Sequence, residues 1–106
     1  MSSDLSDVLV EQHEYELVYV LVGSLDDESV REFNERFNQV ITSQSGEVNT
    51  TEIWGRRTLA YPIAKNFDGI YVMQRFNMSP SGTVELDRLM RFNENVIRHL
   101  LLRTDE

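Results

Sequence analysis

The segment from Gly55 to Lys65 combines cations with an aromatic side chain, and this combination could bind a phosphate backbone. Arg56 and Arg57 are adjacent, and Tyr61 follows in the same segment. Guanidinium groups pair with phosphate oxygens, and an aromatic ring can stack on an unpaired base or a sugar. Neighbouring residues of a strand point to opposite sides, so at most one of the two arginines lies on a given sheet face. The pattern favours contact with a nucleic-acid backbone over base reading; the alternative is that the charges protect an edge strand from pairing.

The charge distribution is compatible with an anionic partner at one face, although the chain as a whole is acidic. The formal net charge is -8 at pH 7, which opposes binding to a polyanion. Residues 1–53 include 12 acidic and 2 basic residues, whereas residues 54–106 include 6 acidic and 8 basic residues, seven of them Arg. The positive charge is therefore concentrated in the second half. Solvated surface arginines are the alternative explanation.

Patterns that would support catalysis or metal binding are missing from the sequence. There are no cysteines, which excludes disulfides, thiolate catalysis and cysteine-ligated metals. Neither His13 nor His99 has an acidic residue at metal-ligand spacing. The five glycines are isolated from one another, so no glycine-rich phosphate loop is present. We therefore expect no enzymatic activity, no metal, no cofactor and no small-molecule substrate.

Length and composition predict one domain in the cytoplasm. A chain of 106 residues with 41% hydrophobic residues can form a single core without a staple. The absence of cysteine fits a reducing compartment, and the longest apolar run, Leu17–Val22, is far shorter than the roughly 20 residues of a membrane helix. The first residues are acidic and lack Lys and Arg, unlike a secretory signal. We predict a disordered acidic extension at 1–13, a folded domain at 14–104 and a tail at 105–106.

Three elements are predicted in the first part of the domain. A buried strand from Tyr15 to Val22 is followed by a helix that begins near Ser24, whose side chain could cap it, and ends at a left-handed Gly46. An extended stretch from Glu47 to Ile63 contains Pro62 near its end, which indicates an edge strand. The apolar face of the helix is predicted to contain Val30, Phe33, Phe37, Val40 and Ile41.

The second part repeats the same order. A turn at 64–69 leads into a strand from Ile70 to Met78, a helix capped by Ser81 or Thr83, and a last strand from Val96 to Arg103. The apolar positions of this second helix are Val84, Leu86, Leu89 and Met90. The order strand, helix, strand, strand, helix, strand predicts an α+β, ferredoxin-like split βαβ fold (βαββαβ). Two helices then cover one face of a four-stranded antiparallel sheet, and the other face stays open for a partner.

The chain resembles the bacterial small-subunit ribosomal protein S6 family in the run Arg57-Thr58-Leu59-Ala60-Tyr61-Pro62-Ile63-Ala64-Lys65. A basic stretch followed by Leu-Ala-Tyr-Pro-Ile is the signature of that family. The resemblance continues in Tyr15-Glu16, Asn66-Phe67-Asp68-Gly69 and Asn93-Glu94-Asn95-Val96-Ile97-Arg98-His99. It implies the same fold, a structural role in the small ribosomal subunit, and two partners, ribosomal protein S-eighteen and the central domain of the small-subunit rRNA.

The resemblance also implies which residues contact RNA. With Arg56 from the strand pattern, the candidate RNA-binding residues are Arg56, Arg57, Tyr61, Lys65, Arg91 and Arg98. Thr58 and the pair His13-Glu14 stand where the family has basic or charged residues, which removes phosphate contacts. We expect weak intrinsic RNA affinity, binding that depends on the cationic partner protein, and a monomer away from the ribosome.

Other classes of protein share this fold. An oligomerising or ligand-sensing domain would use the open face, where Tyr71 and Met73 are expected, and self-association would favour it. An RNA-recognition module would need a different third strand from the one found at 68–76. An acylphosphatase-like enzyme would need a phosphate loop after the first strand, where the acidic sequence at 23–27 would repel phosphate.

Overall fold

The computed structural model describes residues 11–104 as a four-stranded antiparallel sheet that packs against two helices. In chain order the elements are β1 (His13–Val22), α1 (Asp27–Ser43), β2 (Glu47–Ile63), β3 (Asn66–Met78), α2 (Pro80–Phe92) and β4 (Val96–Arg103). The strand order is β2-β3-β1-β4, so β1 and β3 are central and β2 is an edge strand. The predicted ferredoxin-like βαββαβ fold is confirmed.

The core lies between the helices and one face of the sheet. Alternate side chains of β1 are buried there, beginning with Tyr15 and Leu17. The predicted apolar face of α1 is confirmed, whereas Val84 of α2 is 57% exposed although its spacing predicted an apolar position. Fourteen residues form the buried cluster: Tyr15, Leu17, Tyr19, Leu21, Val30, Phe33, Phe37, Ile41, Ile70, Val72, Phe76, Met78, Leu86 and Met90.

A polar network extends from the apolar core, where Tyr19, Asn34 and Gln74 are buried, to the partly buried Asn38 and the exposed Thr51. The Tyr19 hydroxyl donates a hydrogen bond to the Asn34 side-chain oxygen and lies 3.3 Å from Gln74 Oε1. Gln74 Nε2 donates to Asn38 Oδ1 at 2.9 Å and to Thr51 Oγ1 at 3.1 Å. The network joins β1, α1, β2 and β3 and satisfies polar groups that would otherwise be costly to bury.

The first two elements begin at different residues from those predicted. β1 starts at His13, which pairs with Met78 and is buried, so His13 belongs to the sheet and not to the N-terminal extension. Two other residues assigned to that extension, Glu11 and Gln12, are described and exposed, and Gln12 Nε2 donates to the Ser45 carbonyl at 2.8 Å. Residues 1–10 of the extension and the tail at 105–106 lie outside the described residues. The N-cap of α1 is Asp26 and not Ser24, because the Asp26 carboxylate accepts from the Ser29 amide at 2.8 Å.

The end of α1 corrects the role predicted for Gly46. Ser45 adopts the left-handed conformation, with φ at 63°, and the Gly46 amide donates to the Ile41 carbonyl at 2.8 Å. Gly46 is needed for a different reason: a Cβ there would lie 2.6 Å from the Asn77 carbonyl oxygen and 2.8 Å from Ile41 Cγ2. Close approach of helix end and sheet, not backbone handedness, requires the glycine.

The second helix is capped earlier than predicted. Ser79, and neither Ser81 nor Thr83, is the N-cap of α2, and its hydroxyl accepts from the Gly82 amide at 3.3 Å. Pro80 follows in the first turn, where its missing N–H costs no hydrogen bond. The predicted start of this helix lies after Pro80, although proline is compatible with the first turn of a helix.

The turn between β2 and β3 is shorter than predicted. Only Ala64 and Lys65 form it, with φ of 49° and 68°, as in a two-residue type I′ turn. β3 therefore begins at Asn66, four residues before the predicted Ile70. Because β1 pairs with β3 only from Gly69 onward, the far end of the β2–β3 hairpin extends beyond the rest of the sheet.

Candidate nucleic-acid interface

Two surfaces hold most of the predicted RNA-binding residues. We call the sheet surface turned away from the helices the open face. We call residues 58–68 the hairpin arm, since this part of β2 and β3 pairs only within the hairpin. Arg57 and Arg98 lie on the open face, and Tyr61 and Lys65 lie on the hairpin arm.

Arg57 lies between two aromatic rings of the open face. Its guanidinium carbon is 5.5 Å from the Trp54 ring centroid and 5.7 Å from that of Tyr71. The strand register shifts between Ile53 and Gly55, and Gly55 has φ of 94°. Ile53, before the shift, lies on the helix side of the sheet, whereas Trp54, Arg57 and Tyr71 lie on the open face. Such stacking holds a guanidinium in place without using its donors, which stay available for an anion.

Arg56 lies on the other side of β2 and has partners within the protein. Its Nε donates to the Gly23 carbonyl at 3.0 Å and its terminal nitrogen to the Leu25 carbonyl at 3.4 Å. The alternation predicted for the adjacent arginines is thus confirmed. The bonds assign Arg56 a structural role, because they tie the edge strand to the loop between β1 and α1; its predicted RNA contact stays a prediction.

Arg91 and Arg98 lie in different layers of the protein. Arg98 is exposed on β4 and pairs in register with Val20. Arg91, on α2, forms a 2.7 Å ion pair with Asp87 Oδ2, while His99 Nε2 lies 3.0 Å from Asp87 Oδ1. The contact with His99, which has the larger effect, and the ion pair with Arg91 hold the pKa of the Asp87 carboxyl below its usual value. Arg91 therefore belongs to a surface ion-pair cluster away from the open face.

The two candidates on the hairpin arm are exposed. Tyr61 is 63% exposed, and Lys65 occupies the second position of the tight turn. The structure thus brings Arg57 and Arg98 to one face, places Tyr61 and Lys65 beyond its end, and puts Arg56 and Arg91 on the helix side.

Sequence reasoning missed that Tyr71 supports Arg57. Tyr71 was assigned to the open face only as a possible contact for a second copy. The contact depends on strand pairing: Arg57 pairs with Gly69, and Tyr71 is the next residue of β3 on that face, so no spacing along the chain signals it.

Two further features of the described part of the chain bear on function. Among residues 11–104, no group of three or more His, Cys, Asp or Glu side chains is arranged to hold a metal ion. No helix in the same range is long and apolar enough to cross a membrane.

Comparison with known proteins identifies the family. The family model described as Ribosomal protein S6 matches residues 14–103. The chain belongs to the ribosomal protein S6 family. It is 42% identical over 92 residues to the small ribosomal subunit protein bS6 of Caldanaerobacter subterraneus subsp. tengcongensis, covering 87% of this chain and 97% of that protein. It is 44% identical to the bS6 protein of Saccharopolyspora erythraea, over 84% of this chain and 75% of that protein.

A solved structure agrees with the fold. The crystal structure of 30S ribosomal protein S6 from Thermotoga maritima superposes with a TM-score of 0.83, at 24% identity, over 89% of each chain. As a member of the ribosomal protein S6 family, the chain is a structural constituent of the small ribosomal subunit in the cytoplasm and not an enzyme.

Proposed function

We propose that this S6-family chain binds the central domain of the small-subunit rRNA together with ribosomal protein S-eighteen, and that Arg57 and Arg98 on the open face contact phosphates. The observation that carries the proposal is the stack of Arg57 between Trp54 and Tyr71. A guanidinium fixed by two rings loses little freedom when it binds a phosphate oxygen.

The open face has a cationic end. Arg98 pairs with Val20, which is also the partner of Tyr71, so the two arginines lie at the same end of the sheet as the hairpin arm. Towards the other end, Arg75 is neutralised by a 3.0 Å ion pair with Glu16. On the open face of residues 11–104, the cations without a carboxylate partner are thus Arg57 and Arg98, with Lys65 beyond them on the arm.

The acidity of the chain supports joint binding with a cationic protein. A net charge of -8 weakens long-range attraction to RNA. A basic partner would offset this repulsion and present its own cations to the same RNA. We infer that the chain alone binds the rRNA weakly and is monomeric away from the ribosome.

Binding to a central-domain rRNA fragment over a salt series, with and without S-eighteen, tests the proposal. Arg57→Ala and Arg98→Ala should each lower the slope of log affinity against log salt by about one phosphate contact. Arg88→Ala is the matched control, because Arg88 is exposed on α2. Salt slopes that do not change would remove both residues from the interface.

The same series tests the partner and the oligomeric state. Affinity should increase strongly when S-eighteen is added, and the mass of the protein alone should be that of one chain. Equal affinity with and without the partner contradicts the joint binding. A stable homodimer that binds no RNA would support the alternative of an oligomerising domain on the open face.

A further inference from the structure

Phe67, on the hairpin arm, is an exposed aromatic residue that the fold does not use. It is 71% exposed, and the described residues give its ring no aromatic partner. It follows the Ala64–Lys65 turn in a segment of β3 that pairs only with β2. A single exposed phenylalanine is common on proteins, so its neighbours determine whether it has a role.

Strand alternation places Phe67 in line with the cationic end of the open face. Phe67, Gly69 and Tyr71 are alternate residues of β3, and Gly69 pairs with Arg57. Asp68 points the other way, since its carboxylate lies close to Gly23. A Cβ at Gly69 would lie 2.4 Å from Val20 Cγ1, so the Val20 side chain packs over Gly69. Phe67 lies beyond this contact, in the part of β3 that pairs only with β2.

The charge of this region favours an anionic ligand. Residues 55–69 contain Arg56, Arg57 and Lys65 against Asp68, a net charge of +2 in a chain of -8. An exposed ring beside free cations is the combination that binds unpaired nucleotides, with the base on the ring and the phosphate on the cations.

We propose that Phe67 stacks on an unpaired base of the RNA, while Lys65 and Arg57 contact the phosphates on either side of that nucleotide. This inference rests on the proposed function and extends it from phosphate contact to an aromatic contact with a base. The hairpin arm presents the ring on a two-residue turn, which limits the conformational freedom lost on binding.

The test replaces Phe67 in the full chain and measures affinity for the central-domain rRNA fragment with saturating S-eighteen. Phe67→Ala should weaken binding by about 5- to 150-fold, the range for one lost base stack. Phe67→Leu keeps an apolar side chain without a flat ring and should weaken binding nearly as much, whereas Phe67→Trp should retain the affinity. Phe92→Ala is the matched control, because Phe92 is 80% exposed on α2, which packs on the other side of the sheet from the open face.

The salt dependence separates stacking from charge. Phe67 carries no charge, so its variants should keep the wild-type salt slope, whereas Lys65→Ala should lower the slope by about one phosphate contact. Full affinity of Phe67→Ala overturns the proposal, and so does full affinity of Phe67→Leu, which would assign Phe67 to an apolar pocket of a protein.

Failure of this inference is distinguishable from failure of the proposed function. If Phe67 does not stack, wild-type binding and the reduced slopes of Arg57→Ala and Arg98→Ala remain. If wild-type protein does not bind the fragment even with S-eighteen, the proposed function and this inference both fall.

Discussion

Removing one buried hydroxyl should destabilise the whole domain. Tyr19 is fully buried, and its hydroxyl donates a hydrogen bond to the Asn34 side-chain oxygen and lies within hydrogen-bond distance of Gln74. Tyr19→Phe preserves the ring contacts with Phe33 and Phe37, at centroid distances of 5.4 and 5.8 Å. It leaves the Asn34 oxygen without this donor, and a buried polar group that loses its partner costs about 1–3 kcal/mol. For a domain of this size, each kcal/mol lowers Tm by roughly 4–8 °C.

Urea denaturation followed by circular dichroism measures the effect. The midpoint should shift while the slope m stays constant, because the surface exposed on unfolding does not change. Tyr61→Phe is the matched control: it removes the same atom from an exposed ring, and its cost should stay within about 0.5 kcal/mol. A Tyr19→Phe cost as small as that of Tyr61→Phe would refute the reasoning that the network stabilises the core.

Two more predictions concern the same core and the end of α1. Burial raises the pKa of the Tyr19 hydroxyl above its ordinary value of 10.0. As pH increases, the hydroxyl therefore loses its proton in the unfolded state at a lower pH than in the folded state, and the free energy of unfolding should fall above about pH 10. Urea midpoints measured below and above about pH 10 should decrease less for Tyr19→Phe than for the wild-type protein. Gly46→Ala should cost about 1–3 kcal/mol, because its Cβ would lie 2.6 Å from the Asn77 carbonyl oxygen. A Gly46→Ala midpoint equal to that of the wild-type protein would contradict the steric argument. Gly55→Ala, whose Cβ meets nothing within 4 Å, measures the separate cost of backbone strain at φ 94° in the same urea assay.

The fold could be predicted from the sequence because its two periodicities are clear. Alternation in β1 and helical spacing in α1 place large apolar residues such as Leu17 and Phe37 on one side, and the structure buries both. The element ends were harder to predict. Several polar residues near each start could act as a cap, and only the tertiary path of the chain selects Asp26 and Ser79.

The candidate site was predictable only in part. The adjacent arginines could be assigned to opposite sides of a strand, but which of them faces the helices depends on strand register. Register in β2 is shifted at three places, including between Ile53 and Gly55, and no local pattern signals those shifts. The stack of Arg57 on Tyr71 joins residues from two strands, so it follows from pairing and not from spacing along the chain.

The local environment of the arginines explains how an acidic protein can bind RNA. Arg98 is level with Val20, and Glu16 is four residues away along β1, which is about 13 Å at the rise of a strand. The Debye length is about 8 Å at physiological ionic strength, so Glu16 is largely screened from a phosphate at Arg98, and Arg75 neutralises it as well. A phosphate bound as proposed at the cationic end would therefore interact mainly with Arg57 or Arg98, whereas the net charge of -8 acts at longer range and would slow the approach of the RNA. Under the proposed function, a cationic partner protein would reduce the long-range repulsion between the acidic chain and the RNA, and it would leave the local contacts of Arg57 and Arg98 with phosphates unchanged.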